Sequence, residues 1–158
     1  MEFGPRALGN RSLLADPRRP DTRAILNRRI KHREDFRPFA PSVLAEHADE
    51  WFEIGPPTAS NEYMLFAYTA KGDRRERIPA VIHQDGTARV QLVRREANPC
   101  YHDLISRFHA RTGVPLVLNT SFNDSEPIVC TPAHAIATFR STGIDALFMG
   151  DICLTSQA

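Results

Sequence analysis

Short apolar runs alternate along the chain with clusters of Arg, Asp, Pro and Gly, and each run predicts one element. Residues 11–15 read as a strand leading into the turn Asp16-Pro17. Asp21 or Thr22 can cap a helix to about residue 30, with Ile25, Leu26 and Ile30 on its apolar side. Pro38 and Pro41 break helix and hold the next stretch extended. Residues 42–44 predict a strand, 46–52 a short helix, 56–58 a turn, and 63–69 a strand rich in aromatic side chains. Residues 71–77 read as a charged loop. The clearest hairpin signal is 80–84, then Asp85-Gly86, then 88–93. Asp-Gly there favours a type I′ turn, whose two central residues must both accept positive φ. Tyr101, Leu104, Ile105 and Phe108 fall at helical spacing, and Gly113 ends that helix. Residues 114–118 predict a buried strand running into Asn119-Thr120-Ser121. Thr131-Pro132 starts a helix that Gly143 ends, with Ala135, Ile136 and Phe139 facing inward. Residues 146–149 begin a closing strand. The pattern is that of a single α/β domain, a sheet with helices packed against it.

Composition narrows the function classes. At 158 residues the chain is one ordinary domain with room for a core. Its 42% hydrophobic and 25% charged residues fit a globular protein. The net charge of +1 provides no overall field toward nucleic acid or an anionic membrane, so any anion specificity must be local. No apolar run approaches the ~20 residues of a membrane span, and no membrane partner is expected. Cys100, Cys130 and Cys153 are isolated and odd in number. They are read as small buried apolar residues in a reducing cytoplasm, the expected localisation. His32, His47, His102, His109 and His134 show no metal-ligand spacing, so no metal site is expected in this chain. Trp51 with Phe52 is read as a core anchor.

Four segments set cations or small polar side chains beside Gly or Pro at predicted element ends. They are Glu2-Phe3-Gly4-Pro5-Arg6-Ala7-Leu8-Gly9-Asn10-Arg11-Ser12, Lys31-His32-Arg33-Glu34-Asp35-Phe36-Arg37-Pro38-Phe39-Ala40-Pro41, His83-Gln84-Asp85-Gly86-Thr87-Ala88-Arg89-Val90-Gln91 and Asn119-Thr120-Ser121-Phe122-Asn123. Element ends are where a fold exposes polar groups for function. Arg and Lys with Ser, Thr and Asn are the chemistry of a phosphate site. Each segment also has a plainer reading. Arg6, between Gly4-Pro5 and Gly9, suits close approach of an anion or an ordinary surface turn. Arg11 is a site residue or pairs with an acidic neighbour such as Asp16. Lys31 ends a helix, where a cation is favourable for dipole reasons alone. Arg37, held extended by Pro38, can clamp two oxygens at once, whereas Arg33 is expected to pair with Glu34 or Asp35. Asp85 serves turn geometry. His83 donates to a phosphate, acts as an acid–base group, or is a hydrogen-bonded sheet histidine. Asn119, Thr120, Ser121 and Asn123 form an amide-and-hydroxyl pocket at a strand end, or an Asx or Ser/Thr turn. A Walker-type loop is absent, and Ser121 lacks the elbow of a serine nucleophile.

These four motifs, in this order and followed by Glu126-Pro127-Ile128-Val129, resemble the C-terminal domain of the O-carbamoyltransferases, the nodulation and antibiotic-tailoring enzymes. Phe-Gly-Pro-Arg-Ala-Leu-Gly-Asn-Arg-Ser is the most specific of them. Asp124-Ser125 stands where many members carry Gly just before Glu-Pro-Ile-Val, so that loop is expected to differ in shape. The resemblance implies a twisted open sheet of the YrdC and Sua5 type over residues 1–158. It also implies that an extreme N-terminal segment and the family's N-terminal catalytic domain are lacking. By the same resemblance the domain binds carbamoyl phosphate and ATP and forms carbamoyl-adenylate. Lys31, Arg37 and Arg89 then carry the chemistry, and Arg6, Arg11, His83, Asn119, Thr120, Ser121 and Asn123 bind substrate or nucleotide. ATP is a substrate, Mg²⁺ travels with its oxygens, and the family's iron or other metal belongs to the N-terminal domain, the implied partner. The alternatives are a non-catalytic nucleotide- or RNA-binding module, which near-neutral charge disfavours for RNA, and an inactive fragment of a full transferase.

Overall fold

The computed structural model describes residues 8–56 and 58–156. The expectation for Arg6 therefore lies outside the described residues. The elements run β1 (Ser12–Ala15), α1 (Thr22–Leu26) continuing into a π-helical turn (Asn27–Lys31), β2 (Ala40–Leu44), α2 (Ala48–Trp51), β3 (Ala67–Thr69), α3 (Arg74–Arg77), β4 (Thr87–Arg89), β5 (Gln91–Val93), α4 (Pro99–Thr112), β6 (Leu116–Ser121), α5 (Pro132–Thr142), β7 (Ala146–Met149) and β8 (Ile152–Thr155). This is a mixed α/β fold, as the pattern of apolar runs predicts.

The main sheet has the order β1-β6-β2-β5. Strand β6 is antiparallel to β1 and β2, and β2 is parallel to β5. Ser12 lies opposite Ser121, Ala40 opposite Asn119, and Ser42 opposite Gln91. One end of this sheet therefore holds the start of β1, the end of β6 and the starts of β2 and β5. Three of the cation-bearing segments lead into those strand starts, and the Asn119–Asn123 segment leaves β6 there.

Long and well-capped elements form where local signals place them. Asn98 caps α4, its side-chain oxygen accepting from Tyr101 N, and Gly113 closes the helix at φ +70°. Thr131 caps α5 and Gly143 closes it. Trp51 and Phe52 are buried in the largest apolar cluster with Val43, Ile78, Val90 and Leu116. The guanidinium groups of Arg74 and Arg77 lie 5.0 and 4.9 Å from the Trp51 ring, a cation–π arrangement on its outer side. A second cluster joins Leu13, Ile30, Phe122, Val129, Ala135 and Leu147, tying β1, the π-turn, the loop after β6, α5 and β7 together. Gly9 has φ +91°, and a Cβ there would lie 2.8 Å from the Tyr101 ring, so the backbone itself packs on that ring.

Several local expectations are corrected. Residues 80–93 do not make a hairpin. Pro79–Val81 winds into a 3₁₀ turn with Ala80 and Val81 in the core, β4 pairs with β3, and β5 joins β2. Asp85-Gly86 still turns the chain, but only Gly86 has positive φ, which excludes type I′. Asp85 Oδ1 instead accepts from Thr87 N and Oγ1, an Asx turn. The predicted strand 63–69 shrinks to β3, because 59–63 form a 3₁₀ turn in which Thr58 and Asn61 bond reciprocally. The charged loop contains α3. Asp21 caps nothing with its side chain and pairs with Arg19. Ile25 and Leu104 are exposed. The cysteines are exposed rather than buried. The closing strand pairs with β8, as a two-stranded sheet apart from the main one.

Candidate functional site

At the sheet end described above lies an open cavity of about 380 Å³. Lys31, Arg33, Arg37, Ser121, Asn123 and Asp124 line it, with His32 and Glu34. Two segments build it. The first is the π-turn and the loop that returns to β2. Asn27, fully buried, organises it: its Nδ2 donates to Arg37 O (3.2 Å) and its Oδ1 accepts from Arg33 Nε (2.7 Å). Its backbone oxygen accepts from Arg33 N, and His32 at φ +44° lets the chain reverse there. Arg33 then stacks on Phe39, 4.6 Å from the ring centroid. This replaces the expected pairing of Arg33 with Glu34 or Asp35. The Arg37 main chain is thus anchored while its exposed side chain stands at the cavity.

The second segment follows β6. Phe122 N donates to Arg11 O (2.8 Å), which places Arg11 at the same edge. Ser121 Oγ donates to Asn123 Oδ1 (2.6 Å), and Asn123 Nδ2 to Glu126 O (2.7 Å). Lys31 Nζ reaches across and donates to Ser121 O (2.7 Å) and Asn123 O (2.7 Å), with Asn123 Oδ1 at 2.8 Å and Ser121 Oγ at 3.2 Å. Glu126 is held below the ordinary carboxylate range by its own backbone N–H and by the Thr138 hydroxyl. Asp124 Oδ1 is buried without a hydrogen bond among the described residues, and His32 Nε2 lies 3.6 Å from it. Arg11 does not take Asp16 as the local reading offered. Asp16 is bound by the Arg18 fork and its carboxyl is held low chiefly by that bond.

Lys31, Arg37, Ser121 and Asn123 therefore come together. Asn119 and Thr120 are buried and do not line the cavity. Asn119 Nδ2 donates to Ser42 Oγ (2.8 Å) and Gln91 Oε1 (2.9 Å), Ser42 Oγ donates to Gln91 Oε1 (2.6 Å), and Gln91 Nε2 donates to Glu62 O (3.0 Å). A polar core thus joins β6, β2 and β5. The Tyr101 hydroxyl sits beside Ser42 and Asn119, and burial pushes its pKa well above the ordinary value. Sequence reasoning missed Asn27, Ser42, Gln91 and Asp124. Asn27 stands three residues before Ile30, on the stripe that turns inward, and an amide at a core position is the signal that could have found it.

Arg89 is exposed on β4, two residues before Gln91, which pairs with Ser42. His83 Nδ1 is 3.1 Å from Thr87 Oγ1, while its Nε2 is buried with no hydrogen bond among the described residues. Burial lowers the His83 pKa below 6.5, Asp85 opposes this, and nearby Arg89 adds to it. The unfolded chain thus takes up a proton that the folded one resists. Its contribution to stability is full above about pH 6.5 and is lost as pH falls toward the folded pKa. His109 shifts the same way, through desolvation and then His47. Melting temperature is expected to fall between about pH 7.5 and about 5.5, and His83→Gln to flatten part of that fall. An unchanged slope in the variant removes His83 from this account.

Among the described residues no three His, Cys, Asp or Glu side chains cluster as a metal site would need. No helix among them is long and apolar enough to cross a membrane. The family described as "Carbamoyltransferase C-terminus" matches residues 1–156. Nodulation protein NolNO of Sinorhizobium fredii is 49% identical over 157 residues, covering 99% of this chain and 23% of that protein. Nodulation protein NolO of Bradyrhizobium diazoefficiens is 48% identical over 94% of the chain and 27% of its own length. Nodulation protein U of Rhizobium tropici is 42% identical over 77% of the chain and 20% of its own length. The chain thus spans about a quarter of the length of these relatives.

Proposed function

The chain belongs to the carbamoyltransferase C-terminal family, and from that membership we propose that it binds carbamoyl phosphate and ATP and forms carbamoyl-adenylate. The observation that carries this reading is the cavity where Arg37, with its main chain anchored and its guanidinium at the opening, stands beside Lys31, Ser121 and Asn123. Both substrates carry several negative charges, and the planar Arg fork matches paired phosphate oxygens. Arg11, immediately before β1, and Arg89, two residues before β5, lead into the two outer strands at the same sheet end. Cations already aimed at the phosphates stabilise charge moving onto the leaving pyrophosphate. In the net reaction carbamoyl phosphate, ATP and one water give carbamoyl-adenylate, phosphate and pyrophosphate. Mg²⁺ arrives on the ATP oxygens, with Glu34 and Asp124 as hard oxygen donors nearby.

Transfer to a hydroxyl acceptor is assigned to the portion of the relatives that this chain does not span, and that portion is the proposed partner. The lone chain is expected to form AMP and pyrophosphate only when both substrates are present, because carbamoyl-adenylate leaking into water hydrolyses. Calorimetry with carbamoyl phosphate and with ATP, with and without Mg²⁺, tests binding. Mass spectrometry of the nucleotide products tests activation. A folded sample that binds neither ligand refutes the reading. Carbamoylated alcohol from the lone chain would move the acceptor site into it.

A further inference from the structure

We infer that Lys31 is a positioning residue: its ammonium is an internal cation that holds the Ser121–Asn123 turn in shape before any ligand arrives. Four oxygens of the described residues lie within 3.2 Å of Nζ, two of them main-chain carbonyls. Such an oxygen cage is what a small compact cation requires. An ammonium with three tetrahedral donors fills it, and a planar guanidinium fork does not. Lys31 and Lys71 are the lysines of the chain, and arginine supplies the rest of its 20 basic side chains. Both lysines donate to main-chain carbonyls, Lys71 to Asp49 O. Lys31 thus satisfies a cluster of oxygens at the cavity wall, while the Arg37 guanidinium faces the open cavity.

The turn needs such a charge. The carbonyls of Ser121 and Asn123 point together with Asn123 Oδ1, and without a cation their dipoles repel. The π-turn delivers the charge. Lys31 is its last residue, and Ile30 is buried in one apolar cluster with Phe122 and Val129, so both sides of the tether share that cluster. A buried support on each side makes the cage a fixed geometry.

The tether is read in ligand-free protein, so it stands or falls apart from the proposed chemistry; only its consequence for carbamoyl phosphate affinity rests on that reading. Lys31→Met keeps the unbranched apolar stem as far as Cε and removes the ammonium. It is expected to speed amide exchange at Phe122, Asn123 and Val129 by about tenfold or more, the loss of at least one charge-assisted hydrogen bond. Lys31→Arg is expected to fall short of the parent. In Lys31→Ala, added n-propylammonium replaces the missing atoms and is expected to restore both the slow exchange and carbamoyl phosphate binding. Propan-1-ol, tetramethylammonium and sodium chloride at the same ionic strength are expected not to. The parent gives an independent readout: with ¹⁵N-lysine, the Lys31 ammonium is expected to exchange its protons more slowly than that of Lys71. Parent-like exchange in Lys31→Met, or a Lys31 ammonium as labile as Lys71's, overturns the inference. If ligand binding is lost while the ligand-free turn stays protected, Lys31 contacts the anion directly and the tether is wrong.

Discussion

Asn119→Ala is expected to destabilise the fold by about 2–4 kcal/mol, through a core cavity and through hydrogen-bond partners left behind. Asn119 is 1% exposed, and its amide bridges Ser42 and Gln91 across the centre of the main sheet. Removing it leaves Ser42 Oγ and Gln91 Oε1 each short of a donor in a place water does not reach. Ser42→Ala in the same background is the control. The two residues share one network, so the double variant is expected to lose less than the sum of the single ones. Denaturant unfolding of the four proteins reads the effect. A different outcome has a clear meaning. If Asn119→Ala melts like the parent but no longer binds carbamoyl phosphate or ATP, Asn119 is a ligand contact and the polar core is not what it holds.

Arg37→Lys is expected to weaken carbamoyl phosphate or ATP binding about tenfold to a hundredfold, the worth of a charge-assisted bond at the ligand. Lysine keeps the charge and loses the two-pronged donor. Stability is expected to change by less than about 0.5 kcal/mol, as for an ordinary surface position. The reason lies in which atoms of Arg37 hold the fold. Its main-chain N–H donates to Glu34 O and its carbonyl accepts from Asn27, and any side chain keeps both. The guanidinium makes no hydrogen bond or ion pair among the described residues. Calorimetry paired with a melting curve separates the two effects. Unchanged affinity would mean that Arg37 does not clamp the anion, and a large drop in melting temperature would mean that its side chain is structural after all.

These expectations differ in kind because sequence and tertiary contact decide different things. The strand β6, the helices α4 and α5, and the end of each helix were legible in the sequence. Apolar spacing, the Thr131-Pro132 start and a closing Gly act over a few residues and need no distant partner. The convergence of the Lys31–Pro41 and Asn119–Asn123 segments was legible only through the four-motif resemblance, since nothing local brings residue 31 to residue 121. Tertiary structure alone decided the rest. Thr87–Arg89 pairs with β3 because Pro79–Val81 is drawn into the core, so a strong Asp-Gly signal yields a turn without its hairpin. Asn119 and Ser121 are equally polar and two residues apart. One is sealed between β1 and β2, while the other lies beyond the last β2 pairing, at the sheet end, with β1 alone beside it. Lys31 and Arg37 carry the same charge six residues apart. The oxygens that close around one and leave the other at the open cavity come from a strand ninety residues away. Residue type and local spacing determined which groups could bind an anion. Which of them instead became part of the scaffold was settled by burial and by the geometry of donors and acceptors that only the folded chain brings within reach.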